Sequence, residues 1–274
     1  MIALPVVAGL AVPLAACALA GKPSGVSAFL REAYTSIRNA VLWRLFVFQL
    51  FRLWKLPDLS GEQSQGRRHL LILGSSVAKG EGGEVGPEPN LGWTQRLEAA
   101  LERRAPERWK TINAAVQFTQ SQLWHELITT KTTPEDLRFY SVVILSLSLN
   151  NELFTFFVEE EKLREIAQHF LSGVRKIVVE LRKRMATGAR LALSSPYAND
   201  DYTPLHLTIL EEVRAEMATW NEVDHYIDFL QESARNPKGH WPEGASRDAA
   251  HPNSLGHEGM FQCLDLPTLF GEHW

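Results

Sequence analysis

Near residue 70 a serine follows a short apolar run, and close to the other end of the chain an aspartate stands three residues before a histidine. These are the residue types and spacings that could do chemistry. Leu70 to Leu73 is an unbroken apolar run ended by Gly74, and Ser75 and Ser76 follow it before Gly80. Such a run is short enough for a buried parallel strand. At the carboxyl end of a strand in an α/β protein, rigid backbone can aim a serine at a ligand. The other use for either hydroxyl is to cap the next helix. Downstream, Asp248-Ala-Ala-His251 lets one short loop supply both a base and its orienting carboxylate. The carboxylate would take the Nδ1 proton and leave Nε2 to accept from a serine. The chemistry such a set could do is nucleophilic catalysis by an activated serine, which calls for no cofactor and no metal. Taken alone, Asp and His at this spacing also occur in solvated loops.

The elements needed to position these residues can be read from the hydrophobic pattern. Beyond the strand at 70–73, strands are predicted over Trp109–Val116, Ser141–Ser148, Arg190–Ser195 and His225–Phe229. Helices are predicted over Leu91–Arg104, Ser121–Thr130, Glu161–Arg184 and Pro204–Asn221. The helix over 161–184 is the clearest, with Leu163, Ile166, Phe170, Val174, Ile177 and Leu181 at helical spacing and Gly188 beyond its end. Strands alternating with helices imply a parallel sheet covered on both faces. The expected fold is therefore α/β, a three-layer α/β/α flavodoxin-like arrangement around a five-stranded parallel sheet. The glycines of Glu81-Gly82-Gly83 fit neither common nucleotide-binding fingerprint.

Composition sets further limits. A chain of 274 residues, 45% hydrophobic, can bury one substantial core and carry an appendage. A formal net charge of −4 argues against nucleic acid as a partner. Two cysteines, Cys17 and Cys263, make neither a disulfide framework nor a zinc site. His251, His257 and Glu258 could be drawn as metal ligands, but the set lacks a third firm ligand and a second shell. His69, His125, His169, His206 and His225 are read as structural. Phe154, Phe156 and Phe157 could wall an acyl pocket or form an ordinary core face.

The amino-terminal part has a different character. Residues 1–21 contain no charged side chain and are mostly Ala, Val and Leu, long enough to span a bilayer as a helix. An uncleaved membrane anchor is expected there. A cleaved signal peptide ranks second, because no Lys or Arg precedes the apolar run. Lipidation of Cys17 within Leu14-Ala-Ala-Cys17 ranks third. Lys22, Arg31 and Arg38 follow the segment, so the positive-inside tendency leans toward a cytoplasmic-facing domain. Residues 22–56 are expected to form a basic, amphipathic, helical region. Within it Arg38, Gln49 and Arg52 share one side of a helix, bordering a stripe of Leu42, Phe46, Leu50 and Leu53. Basic residues beside a large apolar stripe suit an interfacial helix, and packing on the domain is the alternative. Residues 57–66 read as a polar linker, and the domain is expected over 67–274.

The order of four short blocks carries a resemblance. Gly74-Ser75-Ser76-Val-Ala-Lys-Gly80 resembles the first block of the SGNH (GDSL-type) hydrolase superfamily, and Asn113-Ala-Ala115 the second. Ser148-Leu149-Asn150-Asn151 is similar to the third block, and Asp248-x-x-His251-Pro252 matches the last without change. The resemblance implies that Ser76 attacks the acyl carbon, with His251 as base and Asp248 as its partner. It implies an oxyanion hole from the Ser76 N–H, the Ala115 N–H and the Asn150 side chain. Ser75, Ala115, Ser148 and Asn151 stand where the family usually has Asp, Gly, Gly and Asp. Ala115 can still donate its N–H if the backbone needs no positive φ there. The expected activity is a membrane-anchored serine hydrolase of carboxylic esters, acting on an ester-containing small molecule, a lipid or an acylated sugar. An acyltransferase on the same residues, or a non-catalytic binding protein on the same fold, are the alternatives.

Overall fold

The computed structural model describes residues 45, 47–59, 66–86, 91–271 and 274. The expected anchor over 1–21 lies outside these, as do residues 22–44 and 60–65. Among the described residues, no helix is long and apolar enough to cross a membrane. The chain divides into two compact units, residues 1–54 and 55–274. Of the first unit, residues 47–53 are helical, and the N–H of Trp54 closes the last turn on the Leu50 carbonyl at 2.8 Å. Leu45, Phe48 and Leu53 stand exposed, while Leu50 is buried.

The second unit begins earlier than the composition suggests. Residues 55–59 fall in the second unit and Leu56 and Leu59 are buried, whereas the composition of residues 57–66 suggests a linker. The five-stranded sheet of this unit is parallel throughout. The strands are β1 (Arg68–Gly74), β2 (Trp109–Asn113), β3 (Tyr140–Ser146), β4 (Arg190–Ser194) and β5 (His225–Ile227). They are ordered β2-β1-β3-β4-β5, the flavodoxin-like order. Leu70 to Leu73, and Val142 to Leu145 on β3, are buried on both faces, as central strands of a covered parallel sheet must be.

Helices α1 (Ser76–Lys79) and α2 (Trp93–Arg104) follow β1, and α3 (Ser121–Lys131) and α4 (Pro134–Leu137) follow β2. After β3 come two short 3₁₀ turns and the long α5 (Glu160–Arg184), and α6 (Pro204–Met217) follows β4. A hairpin of β6 (Ser246–Asp248) and β7 (His251–Pro252) leads into α7 (Ser254–Gln262) and α8 (Leu266–Phe270). Helices α3, α5 and α6 pack together on one face of the sheet, and α2 with α7 on the other. Trp93, Leu97 and Leu101 of α2 share one buried hydrophobic cluster with Leu70, Ile72, Val142 and Ile144. The sheet order changes direction between β1 and β3, and the loops beyond their carboxyl ends are where such folds bind ligands.

Candidate active site

Gly74 ends β1 at that switch point. A Cβ there would lie 2.3 Å from the Ser146 carbonyl of β3, so the close approach of the two strands requires glycine. Ser75 occupies the N-cap position of α1 in extended backbone, yet its side chain caps nothing. Its hydroxyl turns instead to the Tyr197 hydroxyl at 3.3 Å, and both groups are buried. Ser76 is the first residue of α1, so its N–H has no acceptor within the helix. Its Oγ lies 3.0 Å from His251 Nε2, and His251 Nδ1 lies 2.8 Å from Asp248 Oδ1. With Nδ1–H donating to the carboxylate, Nε2 is the nitrogen left to accept the serine proton.

The β6–β7 hairpin explains how a three-residue separation produces this geometry. Asp248 and His251 pair across the antiparallel strands, and the turn between them is Ala249-Ala250. Asp248 Oδ1 also accepts the N–H groups of Ala250 and His251, each at 3.0 Å, an Asx-type turn that locks the carboxylate. Its other oxygen accepts from Arg247 Nε at 3.0 Å. Arg247 further bonds Glu81 at 3.0 Å and Glu84 at 2.8 Å, bridging the hairpin to the loop after α1. Partial burial alone would raise the Asp248 pKa, but the bonds from His251 and Arg247 outweigh it and hold the carboxyl below its usual range. That loop can approach only because it carries Gly82, where a Cβ would fall 1.9 Å from the Pro252 carbonyl. Asn253 then caps α7, its side chain accepting from the N–H groups of Leu255 and Gly256.

The oxyanion side is less uniform. Ala115 does not have a positive φ, so alanine costs the backbone nothing there. Its N–H, however, already donates to Asn113 Oδ1 at 3.1 Å. Asn113 in turn donates to the Ala78 carbonyl at 2.9 Å and to Thr94, tying the second block to α1. The expected Ala115 donor is thus engaged within the protein. Asn150 offers a clearer one. Its Oδ1 accepts from the Tyr202 hydroxyl at 3.0 Å, which fixes the amide, and its Nδ2 is buried without a partner. An unpaired buried amide is costly, and such groups persist where a ligand completes them.

Asn150 is held at a second point, since Ser148 Oγ accepts its N–H at 3.3 Å. Burial pushes Tyr197 up to about 12 and raises Tyr202 as well, so both remain protonated donors at neutral pH.

The remaining expectations separate. His257 is fully buried, accepting from the Trp93 N–H at 3.2 Å and facing the Glu81 carbonyl at 2.9 Å, and Glu258 pairs with Arg96. Among the described residues no group of His, Cys, Asp and Glu could hold a metal ion. Phe154 is core, edge-on to Tyr202 and His206, whereas Phe156 is 76% exposed. Arg247, Tyr197 and Tyr202 escaped the reading of the sequence. Arg247 had the signal of adjacency to Asp248, and Tyr197 that of a polar ring just past a strand end; Tyr202 had none.

Residues 72–258 match the GDSL-like lipase/acylhydrolase family, a span that contains Ser76, Ala115, Asn150, Asp248 and His251. No curated protein sequence matches the chain significantly. Solved structures of similar fold include the lipase Lip_vut3 from a goat rumen metagenome, with TM-score 0.60, 16% identity, and coverage of 76% of this chain and 100% of that one. TesA gives TM-score 0.52 and 17% identity, covering 74% and 98%. An acetyl-xylooligosaccharide esterase from Geobacillus gives 0.50 and 15%, covering 72% and 91%.

Proposed function

The chain belongs to the GDSL-like lipase/acylhydrolase family, and on that premise we propose that it is a serine hydrolase of carboxylic esters that works through an acyl-enzyme on Ser76. The observation that carries the reading is the relay from Ser76 Oγ to His251 Nε2 at 3.0 Å and from His251 Nδ1 to Asp248 at 2.8 Å. His251 takes the Ser76 proton as Oγ attacks the acyl carbon, and Asp248 stabilises the imidazolium that forms. Asn150 Nδ2 and the Ser76 N–H receive the oxyanion, joined by the Ala115 N–H if it leaves Asn113. Collapse expels the alcohol, which takes its proton from His251. Water, deprotonated by the same imidazole, then attacks the acyl-enzyme, releases the acid and returns the proton to Ser76. The substrate is an ester-containing small molecule, a lipid or an acylated sugar.

Residues 1–56 hold the enzyme at a membrane in this reading, with the domain facing the cytoplasm. The uncharged apolar run over 1–21 and the exposed Leu45, Phe48 and Leu53 support it. Turnover of a small soluble ester tests the chemistry. Ser76→Ala should abolish it, and Ser75→Ala should leave substantial activity; activity that survives Ser76→Ala and fails in Ser75→Ala would reverse the assignment.

A further inference from the structure

Glu81 takes no part in the relay from Ser76 to Asp248, yet its side chain stands beside it. Glu81 Oε2 lies 3.9 Å from His251 Nε2, the nitrogen that faces Ser76 Oγ. That separation is too long for a direct hydrogen bond. Four hydrogen bonds fix the residue. Its N–H donates to the Ser76 carbonyl at 3.0 Å, and its own carbonyl accepts from His257 Nε2 at 2.9 Å. His257 Nε2 is the donor because its Nδ1 already accepts the Trp93 N–H. Glu81 Oε1 accepts from Arg247 Nη2 at 3.0 Å, and Oε2 accepts from Gln117 Nε2 at 2.5 Å. The carboxylate is therefore tied to the hairpin on one side and to the loop beyond Ala115 on the other.

A carboxylate oxygen has room for two hydrogen bonds, so the bond from Gln117 leaves Oε2 able to accept another. A water that donates to two acceptors at about 2.8 Å each, near its own H–O–H angle, spans a gap of roughly 4–4.5 Å. The 3.9 Å between Nε2 and Oε2 is close to that span. While Ser76 keeps its proton, its Oγ occupies Nε2. Once Ser76 is acylated its oxygen has no hydrogen to give, and Nε2 is open to an incoming hydroxyl.

We propose that Glu81 is a catalytic residue of deacylation: it holds the attacking water by one hydrogen while His251 Nε2 takes the other, and so selects water over an alcohol as acyl acceptor. The inference deepens the hydrolase reading above and rests on it. The water oxygen bonds to the acyl carbon as His251 removes one proton, and the second hydrogen stays on the new hydroxyl, directed at Glu81. Collapse breaks the bond to Ser76 Oγ, which recovers the proton from His251, and the acid leaves. An alcohol has a single hydroxyl hydrogen. With that hydrogen given to Nε2, only lone pairs face the Glu81 carboxylate, a repulsive contact that partial burial strengthens.

The test follows the acyl group of 4-nitrophenyl acetate in the full chain, with methanol added well below the concentration of water as a competing acceptor. Acetate and methyl acetate are counted after subtraction of the Ser76→Ala background. Their ratio reports the fate of the acyl-enzyme, whichever step limits turnover. The wild type should yield mainly acetate. Glu81→Gln should cut the ratio of acetate to methyl acetate about tenfold, the cost of a hydrogen bond to a charged group. Arg247 would hold the amide oxygen of that variant and turn its NH2 toward His251. The kcat/KM for 4-nitrophenol release reports acylation and should stay within about threefold. A merely structural role would lower release and leave the ratio unmoved, and that result would overturn the proposal, as would a wild type that yields mainly methyl acetate. Should the Gln variant fail to fold, Glu81→Ala removes the same acceptor and is read by the same ratio. A wild type that releases no 4-nitrophenol would overturn the hydrolase reading itself, whereas normal release with an unmoved ratio overturns only the role of Glu81.

Discussion

Asn150 is the residue on which the oxyanion side of the account turns, because its buried Nδ2 has no partner while Tyr202 holds its Oδ1. Asn150→Ala should lower kcat about 10²–10³-fold, the usual cost of one oxyanion donor. Tyr202→Phe removes only the hydroxyl that orients the amide, so kcat should fall about tenfold with KM little changed. The double variant should be no slower than Asn150→Ala alone, because the two act through one group; additive losses would show that Tyr202 acts elsewhere. Asp248 leads to a pH prediction. Its pKa is held below the usual carboxylate range against the effect of burial, so its own titration should leave no inflection in kcat/KM between about pH 5 and 8. Asp248→Asn should cut kcat by orders of magnitude without unfolding the domain, and near-normal activity in that variant would remove Asp248 from the mechanism. Ser76, Asp248 and His251 were legible as candidates because Ser76 follows a strand end and Asp248 stands three residues before His251. Tyr202 was not, since it reaches Asn150 from 52 positions away along the chain.

At the level of elements, β1, β3 and β4 could be read from the sequence because each holds an apolar run bounded by glycine, proline or polar residues. By contrast β2 carries Lys110, Thr111 and Asn113 and β5 is only three residues long, so both rest on their place in the strand–helix alternation. The small β6–β7 sheet could not be read. Its strands are three and two residues long, carry Ser, Arg, Asp and His, and owe their pairing to the Asx turn rather than to periodicity. The helix α6 ends at Met217, before the expected Asn221, as the Ala218 N–H closes its last turn on the Arg214 carbonyl. His257 of α7 joins three elements, α7, the N-terminus of α2 and the loop after α1. Burial lowers its pKa from 6.5 to about 4. Between those values the unfolded chain binds a proton that the folded chain refuses, so stability is full above about 6.5 and falls as pH drops toward 4. The loss amounts to about 3 kcal/mol by linkage. Urea midpoints measured from pH 7 to pH 4 should show this decline in the wild type. His257→Gln should be less stable at pH 7 and show a flatter decline, and an unchanged slope would assign the acid sensitivity to other groups.

For the whole molecule, the unit boundary at Lys55 and the buried Leu56 and Leu59 decide where the chain can be cut. A protein beginning at Lys55 should be as stable as the full chain. One beginning at Gln65 loses both leucines and should be destabilised by a few kcal/mol, at about 1.5–3 kcal/mol for each buried side chain. Equal urea midpoints for the two would return Leu56 and Leu59 to a linker. The burial of Leu56 and Leu59 was not legible, because Pro57, Gly61 and Gly66 around them carry the composition of a linker. The central claim is that Ser76, aligned by His251 and Asp248, is the nucleophile of an acyl-transfer site. Peptide mass mapping after reaction of the full chain with a fluorophosphonate tests it most directly. The account predicts one stoichiometric adduct, on Ser76, lost in His251→Ala. An unreactive folded protein, or an adduct on Ser75, would contradict it.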